Sequence, residues 1–112
     1  MLVAPEHALL ETASALTKAA RRRRIDNEGA AMAIACLPSA ALETMPCVHL
    51  ILRAAEISLA TSLGFYDCLF VALAESLSLP LVTSDDRQAG RAGEFVRAVG
   101  LRAALESFQP DA

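Results

Sequence analysis

The chain has 112 residues, 54% of them apolar but only 4% aromatic, with a formal net charge of −3. That length buries a core without disulfide or metal staples, and its alanine-rich apolar content favours closely packed helices over a β-sandwich. No overall basic signature for nucleic acid exists, so any such contact has to be local.

In chain order, Leu2-Val3-Ala4 followed by Pro5 reads as the end of a short buried strand. Residues from about Glu6 to Arg24 read as a helix with an apolar stripe of Leu9, Leu10, Ala13, Leu16 and Ala20. Asp26 or Asn27 caps a second helix that runs through Ala30, Met32 and Ile34 to about Leu37, where Pro38 stops it. Ala41 to Met45 is a second strand. Val48 to Leu63 has helical periodicity and ends at Gly64. Tyr66 to Leu77 is a further helix, broken before Pro80. Leu79 to Thr83 is a short apolar run of the buried parallel kind. Arg87 to Val99 is helical up to Gly100, with a final strand around Leu101 to Leu105. Strands alternating with helices predict an α/β fold, a parallel sheet flanked by helices, in one domain over residues 1–112.

The three cysteines, Cys36, Cys47 and Cys68, show no CxxC spacing, and Cys47 with His49 has no second pair to complete a zinc site. They read as buried reduced thiols. No apolar run reaches the ~18 residues that cross a membrane, and MLVAPEHALLE lacks the features of a signal peptide. The expectation is a soluble cytoplasmic protein with no membrane partner.

The acids carry the chemistry. Ligands of parallel α/β sheets sit beyond the carboxyl ends of the strands, and "LPLVTSDD" delivers Asp85 and Asp86 to that edge. Asp67 enters from the first turn of the preceding helix, and Glu11 from the first half of the helix after Leu2-Val3-Ala4. Carboxylates from three distant segments, gathered in one cleft, would suit a hard divalent cation. Each also has a plain structural role: Asp67 as a helix-start acid, Asp85 and Asp86 as turn and cap residues, Glu11 as a solvated helix glutamate.

Those residues carry a resemblance. "Y-D-x-L-x-x-A-L-A-E" (from Tyr66), followed after "LP" by "L-V-T-S-D" (to Asp85), resembles the C-terminal half of a PIN domain, the ribonuclease fold of VapC-type toxins. "APEHALLETASAL" resembles the PIN helix with the pattern E-x-x-N-x-L, with Ser14 where asparagine is usual. The resemblance implies that Glu11, Asp67 and Asp85 are three members of an acidic quartet that is catalytic and binds Mg²⁺ or Mn²⁺. It implies a supporting hydroxyl from Thr83, with Asp86 as an additional outer acid. The activity implied is metal-assisted hydrolysis of RNA phosphodiesters, with an antitoxin protein as partner.

Relative to that family, the chain reads as truncated at its N-terminus. The first strand, its aspartate and the helices after it are absent, some ~35–45 residues by ordinary element lengths. The expectation is that the Leu2-Val3-Ala4 and Leu81-Val82 strands pair directly, or that a second copy fills the gap in a homo-oligomer.

Lys18 and Arg21 to Arg24 close the first helix. They read either as a solvated C-terminus that suits the helix dipole or as phosphate contacts. Lys18 and Arg22 share a face with Glu11, and Lys18, Arg21 and Arg22 are the RNA-binding candidates. Acidic or hydrophobic antitoxin surface is a third reading. Two hypotheses thus stand: a toxin-like metal-dependent endoribonuclease, and a catalytically inactive PIN remnant acting as a binding or assembly module. A phosphorelay receiver is excluded, because the only lysine is Lys18.

Overall fold

The N-terminal apolar run forms strand β1 (Leu2–Pro5), and in the computed structural model it pairs in parallel with β2 (Leu42–Met45), Leu2 opposite Leu42 and Pro5 opposite Met45. The backbone N–H of Glu6 donates to the carbonyl of Met45 at 2.9 Å and carries the pairing one residue further. Parallel neighbours need a long crossover, here two helices, α1 (Ala8–Arg21) and α2 (Asn27–Cys36), and a 3-10 turn at Leu37–Ser39. The structure describes residues 2–83 and 86–107. The chain forms two compact units, Met1–Pro46 and Cys47–Ala112.

In the first unit, α1 has no buried residue, and Leu10 is 73% exposed. Steps of 100° put Leu9, Ala13, Leu16 and Ala20 on one line and swing Leu10 about a quarter-turn away, so it leaves the predicted stripe. The helix ends at Arg21, short of Arg24, in a Schellman motif. Arg24 N–H reaches Ala19 O at 2.9 Å, Arg23 N–H reaches Ala20 O at 3.0 Å, and Arg23 takes φ 57°. Asp26 caps α2, its Oδ1 accepting from Gly29 N–H at 2.6 Å, as the sequence predicts. Pro38 falls inside the 3-10 turn that follows.

The second unit is built on α3 (Ile51–Thr61) and α4 (Phe65–Leu77), between which the chain bends by 115°. Ile57 and Ala54 of α3 and six residues of α4, from Cys68 to Ala74, are buried. The first turn of the predicted Val48–Leu63 helix is 3-10 (Val48–Leu50), and Ser62, not Gly64, takes the left-handed end position at φ 64°. Gly64 is extended and opens α4. Arg53 of α3 clamps Glu75 of α4 in a fork, Nε to Oε1 at 2.7 Å and Nη2 to Oε2 at 2.8 Å. It also pairs with Glu56 at 3.1 Å and lies 5.4 Å from the centre of the Phe95 ring. The fork pulls the Glu75 carboxyl below the usual range and pushes the Arg53 guanidinium further up.

After α4, β3 (Leu81–Thr83) pairs in parallel with β4 (Ala98–Gly100), and α5 (Asp86–Ala92) connects them. The predicted Arg87–Val99 helix thus stops at Ala92, near the weak helix formers Gly90 and Gly93, and Val99 goes to the strand. The predicted strand at Leu101–Leu105 is instead α6 (Leu101–Ser107), in keeping with its leucines and alanines. The fold class is the expected one, short parallel strands flanked by helices. Among the described residues the strands form two sheets of two, β1-β2 in the first unit and β3-β4 in the second, in place of the expected pair of Leu2-Val3-Ala4 with Leu81-Val82. The partner of Leu81–Thr83 comes from a segment whose apolar periodicity mimicked a helix. No single described helix is long and apolar enough to cross a membrane. Cys47 and Cys68 are buried, whereas Cys36 is exposed.

Candidate functional site

Helix starts position two of the candidate acids. Asp67 is the third residue of α4, exposed, directly before the buried Cys68 and Leu69. Gly64 precedes the helix without a side-chain cap, and a Cβ on Gly64 would come 3.5 Å from Asp67 Oδ2. The carboxylate thus folds back over the N-terminal end of α4, where the helix dipole favours a negative charge. Its charge acts on the next residue: burial first, and Asp67 second, push the Cys68 thiol up, so Cys68 stays protonated at neutral pH.

Glu11 lies in the first turn of α1, 51% exposed, with Oε1 2.8 Å from Nε2 of His7. His7 is mostly buried and sits one turn earlier on the same face, and the two side chains form an ion pair when the imidazole is protonated. Thr83, at the end of β3, has its Oγ1 2.6 Å from Oε1 of Gln88 in α5. With the hydroxyl donating, that bond joins the end of β3 to α5. Asp86 opens α5. Asp85 lies outside the described residues.

Lys18 and Arg21 are exposed in the last turn of α1, and Arg22 is its exposed end residue. A 590 Å³ cleft lies beside them, lined by Arg21, Arg23 and Arg24 together with Asp26 and Asn27. Arg23 and Arg24 are the residues that sequence reasoning left out of its binding set; the signal was the unbroken arginine run itself. A second omission is the edge-to-face pair of Phe65 and Tyr66, ring centres 5.8 Å apart, beside Asp67. Tyr66 is largely exposed.

The structure therefore brings together His7 with Glu11 and Thr83 with Gln88. Among the described residues, no three His, Cys, Asp or Glu side chains gather as a metal site. The donors that Glu11 and Asp67 offer are carboxylate oxygens open to solvent, the chemistry that a hard divalent cation takes.

Comparison with known proteins supplies the family. The PIN domain family model matches residues 1–94 and so runs across the boundary between the two compact units. The chain belongs to the PIN domain family, a family of nucleases. No curated protein matches it.

Proposed function

We propose that this chain is a metal-dependent endoribonuclease of the VapC toxin type. The observation that carries the reading is the family match over residues 1–94, a span that includes all of Glu11, Asp67, Asp85 and Asp86. Glu11, Asp67 and Asp85 would hold Mg²⁺ or Mn²⁺, with Asp86 at the outer edge of the set. When bound, the ion supplies an activated water and offsets charge building on the scissile phosphate. His7 Nε2 lies 2.8 Å from Glu11 Oε1, an ion pair when the imidazole is protonated, and Thr83 hydrogen-bonds Gln88, which joins β3 to α5. Lys18, Arg21 and Arg22 contribute positive charge along the strand's path on α1. An antitoxin protein and a second copy of the chain are the partners that a toxin-type reading adds; light scattering reads the second directly.

The test incubates the purified chain and its Asp85→Asn variant with structured RNA and Mn²⁺. Cleavage by the first alone supports the reading. Silence from both removes it and leaves a binding module. Calorimetric titration with Mn²⁺ checks the ligand set: Asp67→Asn and Asp85→Asn should each abolish binding, and unaltered affinity in either refutes that residue's assignment.

A further inference from the structure

The cleft at the end of α1 deepens that reading without depending on cleavage. Arg21, Arg22, Arg23 and Arg24 are all exposed, and none pairs with an acid among the described residues. Their positions are set by backbone. The Schellman bonds from Arg23 and Arg24 to Ala20 and Ala19 turn the chain back on itself, so the last two arginines project around the cleft instead of continuing up the helix. Helix-dipole complementarity accounts for cations in the last turn, opposite roughly half a negative charge. It leaves Arg23 and Arg24, which lie beyond the helix, unexplained.

Arg23 adds a second observation. It holds φ 57°, a conformation glycine adopts freely and a side chain enters at about 1 kcal/mol. An arginine stands where glycine would be the stabilising choice. The one carboxylate on the cleft, Asp26, is engaged in capping α2 through Gly29. Three arginines line this one cleft, where an anion offsets their like charge, and their planar forks match phosphate oxygens. No aromatic side chain lines the cleft, so its ligand is recognised by charge and not by base stacking.

We infer that the arginine corner between α1 and α2 is a phosphate seat for a single RNA strand, built by Arg21, Arg23 and Arg24. Its place on α1 also sets a length. Glu11 and Arg21 are ten positions apart, ~15 Å along the axis, which is between about four and five stacked nucleotides. The identity of the polyanion as RNA rests on the proposed nuclease function; the anion seat itself rests on the arginines.

The test is fluorescence anisotropy of a labelled single-stranded RNA of about twelve nucleotides, with the whole chain, in EDTA so that no divalent ion contributes. Arg23→Gly relieves the left-handed strain, so the variant should melt at or above the parent while binding several-fold more weakly. Arg23→Gly with Arg24→Gln should lose about tenfold or more and flatten the salt dependence by ~1.4 in log–log slope, from ~0.7 per single-strand contact. The charge-matched pair Arg91→Gln with Arg97→Gln should leave both quantities within about twofold. Equal loss in both pairs would mean diffuse charge attraction and overturn the seat. So would a parent that does not bind the strand, or tighter binding of a polyglutamate peptide of equal charge, which would assign the corner to an acidic protein segment. A chain that binds through this corner and cleaves nothing keeps the seat and removes the nuclease reading. Cleavage with undiminished binding in the arginine double variant does the opposite.

Discussion

Helices α1 and α4 are nearly the same length, each carries a candidate carboxylate in its first turn, and they are packed in opposite ways. Six of the 13 residues of α4 are buried, including Cys68 and Val71 with no exposure at all. None of the 14 residues of α1 is. In α4 the acid sits at the rim of a helix whose remaining faces hold the second unit together, so the core fixes its position. In α1 the whole of one face, His7, Glu11, Lys18 and Arg22, is charged or polar, and local contacts alone fix Glu11. One helix is held by deep apolar packing and presents a single acid; the other packs on α2 with half-buried side chains and presents a row of polar and charged residues.

The sharpest way to break this comparison is to cut matched side chains from each region. Ile57→Ala, facing α4 at 1% exposure, should cost ~2–5 kcal/mol in urea unfolding. Leu10→Ala on α1 should stay within about 0.5 kcal/mol. Equal costs would mean that α1 is packed as α4 is. Next in size is the Arg53–Glu75 fork, the polar link between α3 and α4. Because the Glu75 carboxyl is lowered in the folded chain, its contribution is complete above the ordinary carboxylate range and fades as pH falls through the lowered value. Solvent at both side chains moderates it. Glu75→Gln should therefore lower the melting temperature at neutral pH and narrow its gap to the parent on acidification. A gap that does not change with pH would assign the effect to shape instead of charge. On the α1–α2 side the matching polar device is the Asp26 cap, and Asp26→Ala should cost ~1 kcal/mol.

The same contrast explains what the sequence made legible. The α2 cap was readable because Asp26 stands directly before a helical stretch, and α4 because a long apolar run ends at the left-handed Ser78 before Pro80. The helix end at Ser62 was displaced from its glycine signal at Gly64, and the end at Arg23 carried no such signal, because serine and arginine took positive φ, a choice with no local marker. β4 was hidden since Ala98–Gly100 is three residues long and gains its strand character only from pairing with Leu81–Thr83. The candidate acids were visible through their motif, and their surroundings were not. His7 beside Glu11 follows from i,i+4 spacing on a helix whose start was placed only approximately. Gln88 beside Thr83 bridges a strand and a helix, and no periodicity links those two positions.

The smallest effect expected is the most informative about Asp67. A solitary acid in the first turn of a helix is stabilising by ~0.3–1 kcal/mol, and Asp67→Asn would then cost that much at low ionic strength with metal absent; the proposed ligand set predicts the opposite. An acid crowded by other carboxylates is held there against repulsion, and the same substitution would then be neutral or stabilising. Cys68 supplies an independent reading of the same charge. With Asp67 neutralised, the thiol loses its second upward influence and keeps the first, burial, so its pKa should fall slightly and stay above the ordinary range. The rate of Cys68 alkylation against pH, in a Cys36→Ser background that removes the exposed thiol, measures it. A slightly lower thiol pKa together with a gain in stability would place Asp67 among other acids; the same shift with a loss would leave it a helix-start residue.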